Sequence, residues 1–286
     1  MGTQTFIIEN RTDFEPKQTF ECGQCFRWNK QDDGSYTGVF GNNVINVKRD
    51  SNKMTFRGTC EGIIIKQCVD YFDLDRNYSK IKECITSIDE HMEQAVEYGE
   101  GIRILNQDTW ECLVSFIISA NNNIPRIKKT IENICREYGK KIEYNGAVYY
   151  IFPTPEELSK ASIEDLRKLG LGFRDKYVFK TTKMILDNKI NLKELENMDI
   201  KQLRNKLMTC PGVGKKVADC VMLFSLSRFE VFPIDVWIKR VMQELYLDGK
   251  EVSIKEIQEI ATEKYKDLAG IAQQYLFYWK RDQKAG

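Results

Sequence analysis

The sequence predicts an α+β fold, an N-terminal antiparallel β-sheet domain followed by a mainly α-helical body. Three observations carry this. The first 60 or so residues hold short runs of β-formers cut by turn clusters. After about residue 80 the apolar period becomes helical and stays so. Two helical patterns then meet at Pro211-Gly212-Val213-Gly214. The expected division is a sheet domain over 1–98 and a helical domain over 99–286.

The predicted strands are Phe6–Ile8, Phe20–Trp28, Tyr36–Phe40, Val44–Val47 and Met54–Phe56. Between them lie turn formers such as Asp32-Asp33-Gly34, Gly41-Asn42-Asn43 and Asp50-Ser51-Asn52, a spacing suited to a meander. Further on, Trp110, Leu113, Val114, Ile117 and Ile118 form a helical stripe. Asp108 starts it, with Glu111 three residues later as a capping box. A second helix is expected from Pro125. Thr154 with Glu157 and Ser162 with Asp165 open two short ones, the latter closed by Gly170. Asp199 with Gln202 and Ser253 with Glu256 open two more.

Composition narrows the chemistry. With 42% hydrophobic and 30% charged residues the chain can bury a core and is not of the disordered class. No apolar run approaches a membrane span, and the first residues lack a signal-peptide core. An intracellular location is therefore expected, in the cytoplasm or nucleoid if prokaryotic and the nucleus if eukaryotic. Nine Cys, Cys60 among them, are scattered and read as reduced thiols. Cys22 and Cys25 form a lone CxxC, and His91 is the only His, so no metal site is expected and Ser-His or Cys-His catalysis is disfavoured.

A net charge of +1 gives no overall basic excess, but basic residues group locally. Lys201, Arg204, Lys206, Lys215 and Lys216 occur without an acid between Lys201 and Ala218. Arg126, Lys128, Lys129, Arg136, Lys140 and Lys141 form a second cluster. Within the first cluster, Pro211 ends one helix, and Gly212, Val213 and Gly214 lead into the next at about Lys215. That geometry suits either a backbone anion site for a DNA phosphate or an ordinary helical corner. Lys215 stands four residues before Asp219, a solvent-side pair. Lys216 stands four before Cys220, on a face with little charge, and is the lysine expected in a dry cleft. A neutral amine there can attack a sugar C1′ and form a Schiff base, although the commoner role of a lone lysine is a phosphate contact. Asp235 opens a further helix; it can be a plain N-cap or a carboxylate facing an oxocarbenium-like charge.

PGVGKKVADC followed by FPIDVWIKR resembles the helix-hairpin-helix Gly-Pro-Asp glycosylase superfamily, with the motif at about 199–226. GQCFRW (Gly23–Trp28), SANNNIPRI (Ser119–Ile127), LGLGFRDKYV (Leu169–Val178) and GIAQQYLF (Gly270–Phe277) are similar to its 8-oxoguanine DNA glycosylase/lyase branch. The resemblance implies a base-excision enzyme acting on double-stranded DNA containing 8-oxoguanine, monomeric and without a membrane partner. Lys216 attacks, Asp235 assists, and β-elimination from the Schiff base cuts the strand. The carbonyl of Gly23 accepts from the lesion's N7–H, Gln273 reads the Watson–Crick edge, and Phe277 and Cys220 sandwich the flipped base. Asn121, Arg126 and Arg174 match residues that contact the estranged cytosine, and Phe173 matches a wedge. Trp237 departs from the His found in much of the branch. No Cys follows Cys220, so no cofactor and no iron–sulfur cluster is expected. The alternatives are a glycosylase for another damaged base, or a non-catalytic DNA-binding module that needs only the hairpin.

Overall fold

The structure is a computed structural model that describes residues 3–9, 13–59 and 64–283; Cys60 lies outside the described residues. Strands β1 (Thr3–Glu9), β2 (Trp28–Lys30), β3 (Tyr36–Phe40), β4 (Asn43–Asp50) and β5 (Lys53–Thr59) form one antiparallel sheet ordered β1-β5-β4-β3-β2. The last four make the expected meander, and β1 returns to pair with β5. The predicted strand over Phe20–Trp28 is wrong for most of its length. Helix α1 (Pro16–Glu21) occupies its start, because Pro16 sits in the first turn and Glu15 accepts from the Lys17 N–H. Gly23 then turns the chain at φ +85°. The sheet's inner face packs on an aromatic core in which Phe20 and Trp28 stack at 4.0 Å.

Helices begin earlier than the sequence suggests, at α2 (Ile64–Tyr71), followed by α3 (Tyr78–Thr86) and α4 (Glu90–Tyr98). Helix α5 (Thr109–Ser119) is the central rod, apolar almost all round and buried from Cys112 to Ile118. Asp108 caps it, but Glu111 turns to Arg27 at 3.6 Å instead of completing a capping box. After α6 (Ile124–Tyr138) the helical pattern is interrupted by a hairpin, β6 (Lys141–Tyr144) and β7 (Ala147–Tyr150). Its Asn145-Gly146 turn has both φ values positive, the hairpin signature that the periodicity reading passed over. Ile142 and Tyr144 cover Val39 and Val44 on the sheet, so β3 is buried on both faces.

The body continues through α7 (Pro155–Leu158), α8 (Ile163–Leu166), α9 (Asp175–Leu186), α10 (Leu192–Leu195), α11 (Ile200–Met208), α12 (Lys215–Ser225), α13 (Val236–Tyr246), α14 (Ile254–Tyr265) and α15 (Ala269–Gln283). The caps predicted at Thr154, Ser162, Asp199 and Ser253 all accept the expected backbone N–H. Helix α12 packs against α5 and α11, and α15 against α4 and α13.

Sheet and body meet around Arg103, whose side chain is fully buried. Its Nη1 donates to Asp13 Oδ2 at 2.8 Å and its Nε to the Phe72 carbonyl at 3.1 Å, and Nη2 reaches the carbonyls of Asp73 and Arg76. The guanidinium carbon lies 4.1 Å from the centre of the Tyr78 ring. A charge held this deep is tolerable because its donors are matched on the spot.

Candidate active site

The hairpin between α11 and α12 is shaped by its glycines. Gly212 has φ +81°, and a Cβ there would come within 2.5 Å of the Tyr177 ring, so only glycine fits. Gly214 is the N-cap of α12 and, unlike the caps of α11 and α13, supplies no side-chain acceptor. The first N–H groups of α12 are therefore left for an external anion.

The expected solvent-side pair of Lys215 and Asp219 does not form. Asp219 is buried and accepts from Arg204 Nε at 2.6 Å, because the hairpin folds α11 back onto α12. Burial raises its carboxyl above the usual range, with Arg204 opposing. The second basic cluster is also partly spent. Lys128 donates to the Trp28 carbonyl at 2.6 Å, and Arg136, Lys140 and Lys141 each pair with a glutamate.

Beyond the hairpin, a narrow cavity of about 50 Å³ is lined by Gly23, Lys216, Cys220, Asp235, Gln273 and Phe277, together with Phe116 and Gln274 among others. Helix α12 presents Lys216 and Cys220 from successive turns. Packing on α5 puts the Lys216 amine 5.2 Å from the centre of the Phe116 ring. Burial pushes the Cys220 thiol up to about 11, with Lys216 opposing, so it meets a ligand as a neutral, polarisable surface. Asp235 caps α13, accepting from the Ile238 N–H at 2.7 Å, and still lines the cavity; capping and site roles coexist.

Gln273 and Phe277 are one helical turn apart on α15. Gln273 is 5% exposed and its Oε1 has no hydrogen-bond partner, the state of a buried acceptor kept for a ligand. The Phe277 ring closes over Gly23, where an added Cβ would be 3.3 Å from Cε1. Gly23 belongs to a loop braced from several sides. Gln24 Nε2 donates to the Thr19 and Arg103 carbonyls at 2.8 and 2.7 Å, and Gln24 Oε1 accepts from the Leu105 N–H at 2.9 Å. Gln107 Nε2 donates to the Gln24 carbonyl at 2.7 Å.

A second constellation lies where α6 begins and α9 approaches. Arg174 is buried and donates to the carbonyls of Ala120, Asn121 and Leu171. Asn121 itself adopts φ +50°. Arg126 is exposed. Gly172 lies between the two guanidinia, and a Cβ on it would be 3.7 Å from Arg126 Nη2 and 4.0 Å from Arg174 Nη1. Burial, and then the charge of Arg126, lowers the pKa of Arg174. Phe173 projects 56% exposed, edge-on to Tyr177 and with Arg174 beneath its ring at 4.2 Å.

Residues 114–267 match the family described as HhH-GPD superfamily base excision DNA repair protein, and residues 6–113 match 8-oxoguanine DNA glycosylase, N-terminal domain. The chain belongs to the HhH-GPD superfamily of base excision DNA repair proteins. It is 31% identical over 226 residues to a probable N-glycosylase/DNA lyase of Methanothermobacter thermautotrophicus, covering 72% of this chain and 70% of that one. It is 30% identical over 275 residues to the N-glycosylase/DNA lyase of Saccharomyces cerevisiae, covering 87% and 73%. Among solved structures it is similar to the Clostridium acetobutylicum 8-oxoguanine glycosylase/lyase in complex with double-stranded DNA containing cytosine opposite 8-oxoG. That match has a TM-score of 0.94 and 40% identity, and covers 99% of each chain.

The slot is not the largest cavity among the described residues. A larger one, about 620 Å³, is lined by Asp70, Asp73, Asp75, Asp108 and Glu111, a carboxylate wall that repels a phosphate backbone. Size is a poor guide here. Sequence reasoning missed Phe116, hidden within the stripe of α5, and Gln274, overshadowed by its neighbour. Trp237 is half-buried and packs on the helical core. Among the described residues no cluster of His, Cys, Asp or Glu could hold a metal, and no helix is long and apolar enough to cross a membrane.

Proposed function

We propose that this HhH-GPD protein removes 8-oxoguanine from duplex DNA and then nicks the strand. The observation that carries this is the single slot shared by Lys216, Asp235, Gly23, Cys220, Gln273 and Phe277. A DNA-binding module would need the hairpin alone. At about 50 Å³ the resting slot has room for a few waters but not a purine, so Phe277 moves aside as the flipped base enters against Cys220. Gln273 then finds its partner on the Watson–Crick edge, and Gly23 meets the N7–H that distinguishes 8-oxoguanine from guanine. The relatives named N-glycosylase/DNA lyase and the Clostridium complex support this substrate.

The Lys216 amine attacks C1′. The N–C1′ bond forms as the glycosidic bond breaks, and its electron pair leaves with the base. Asp235 faces the positive charge that develops on the sugar. Loss of a proton from nitrogen and opening of the C1′–O4′ bond give the Schiff base. Removal of a C2′ proton then expels the 3′-phosphate by β-elimination. Each of these roles is one a lysine or a carboxylate can fill, and the reading invokes no cofactor. Opposite the lesion, Asn121, Arg126 and Arg174 offer donors and an acceptor suited to cytosine, and Phe173 fills the vacated stack. The hairpin amides of Gly212 and Gly214, with Lys215, hold a phosphate; Val213, expected beside them, spends its N–H on the Cys210 carbonyl at 3.1 Å, which closes the turn. One chain contains the whole slot, which suits action as a monomer, and its DNA substrate places it in a DNA-containing compartment.

Borohydride trapping tests the reading. Duplexes carrying 8-oxoguanine opposite cytosine should yield a covalent adduct that Lys216→Gln abolishes. An undiminished adduct in that variant removes Lys216 as the nucleophile. Salt-sensitive binding with no excision would leave a binding module.

A further inference from the structure

The two groups assigned to read the base come from distant parts of the chain. Gly23 follows α1 in the sheet region, and Gln273 stands on α15 at the end of the helical body. A base held between them is recognised only if their separation is fixed. Helix α15 supplies that link itself. Gln274, adjacent to Gln273 and 2% exposed, donates from Nε2 to the Cys22 carbonyl at 2.6 Å, one residue before Gly23. Seven residues on, Arg281 Nη1 donates to the Glu21 carbonyl, also at 2.6 Å. Positions 274 and 281 share one face of α15, while Gln273 and Phe277 share the neighbouring face that enters the slot. One helix therefore carries the Watson–Crick reader and grips the backbone that leads to the N7 reader.

We propose that Gln274 is a positioning residue for lesion recognition, fixing the Gly23 loop relative to Gln273 through its bond to the Cys22 carbonyl. This rests on the reading of Gly23 and Gln273 as the base contacts. The braces at Gln24 and Gln107 hold the loop to residues 103–107, and Gln274 ties it to the helix beneath the base edge at the residue next to Gly23, one residue closer than the hold of Arg281 on Glu21. A Cys22 carbonyl released from Gln274 lets the loop shift by a fraction of an ångström, and misplacement on that scale costs recognition far more than folding.

The test separates base reading from amine chemistry. Gln274→Ala should slow single-turnover excision of 8-oxoguanine by about 10- to 100-fold. Borohydride trapping on an abasic-site duplex, which has no base to read, should stay within about twofold of wild type. In Gln274→Glu the side chain donates only while protonated. Excision relative to wild type should therefore fall as pH rises through the titration of the introduced carboxyl, whereas the Ala variant's relative rate stays flat. Equal losses of excision and abasic trapping, unchanged excision in Gln274→Ala, or a pH-independent Glu variant would each overturn the assignment. A wild-type chain that traps on abasic DNA yet leaves 8-oxoguanine untouched would instead overturn the substrate reading beneath it.

Discussion

The two hairpin glycines should fail in opposite ways when each is replaced by alanine. Gly212 sits at φ +81° with the Tyr177 ring 2.5 Å from where a Cβ would lie. An L-residue in the left-handed region costs about 1–2 kcal/mol, and forcing a methyl into a packed ring adds about 1–3 kcal/mol. Gly212→Ala should therefore lose about 2–5 kcal/mol of folding stability. The displaced Tyr177 also bears on Phe173, so the wedge is disturbed with the hairpin. Gly214 differs, with φ −90° and nothing within 4 Å of a Cβ. Gly214→Ala should fold within about 1 kcal/mol of wild type, since reduced chain entropy and a poorer N-cap offset one another. Its methyl, however, occupies the space where a phosphate would meet the α12 amides. Duplex binding should weaken by about 3- to 10-fold, equivalent to one hydrogen bond of about 0.5–1.5 kcal/mol. Because no cation is removed, the salt dependence should not change, whereas Lys215→Gln should reduce the slope by about 0.9. Urea unfolding measures the first effect, and fluorescence anisotropy at several salt concentrations the second. Wild-type affinity in Gly214→Ala would refute the phosphate cradle, and a stable Gly212→Ala would refute the steric argument.

Glu111 gives a pH-dependent outcome. Burial pushes its carboxyl up to about 7, with Arg27 opposing, and its side chain is 16% exposed. A carboxyl raised in the folded state contributes stability that is full below its ordinary value and is lost as pH rises through about 7. The loss should be about 3 kcal/mol, and Glu111→Gln should remove this slope from urea midpoints measured across that window; an unchanged slope in the variant counts against the assignment. At the other constellation, Arg126→Gln should narrow the ratio of excision rates opposite cytosine and adenine, because Arg126 is the exposed member of the two guanidinia and Arg174, with most of its donors on backbone carbonyls, can only partly replace it. A ratio that does not move would assign the discrimination elsewhere.

What was legible in the sequence was whatever leaves a local mark. Caps at Asp199 and Ser253, the hairpin glycines and the i, i+4 pairing of Gln273 with Phe277 all report on neighbouring residues, and the structure places them as read. Contacts between distant segments were not legible. Nothing near Asp219 announces Arg204, which reaches it only because α11 doubles back over α12. Glu111 carries the correct spacing for a capping box and turns to Arg27 because burial makes a cationic partner worth more than a cap. Phe20 is a good β-former, yet Pro16 and the Glu15 cap decide for α1. The residues proposed to act on the sugar and the base were reached through motifs, whereas Gln274, which donates to the backbone of a segment 252 residues away, had no local signature.

Arg103 has a consequence for how this enzyme can be divided. Its guanidinium finds partners in residues 13, 72, 73 and 76, all in the N-terminal third of the chain, while its own backbone carbonyl anchors Gln24 beside Gly23. Cutting the helical body free would leave that cation to be hydrated in the seam where the two halves close. Sheet and body should therefore melt in one transition, and neither half of the base slot should persist without the other. A trimmed enzyme that keeps Lys216 and Asp235 but discards the sheet would lose the Gly23 wall of the slot and, in the same step, the floor under the wall it retained.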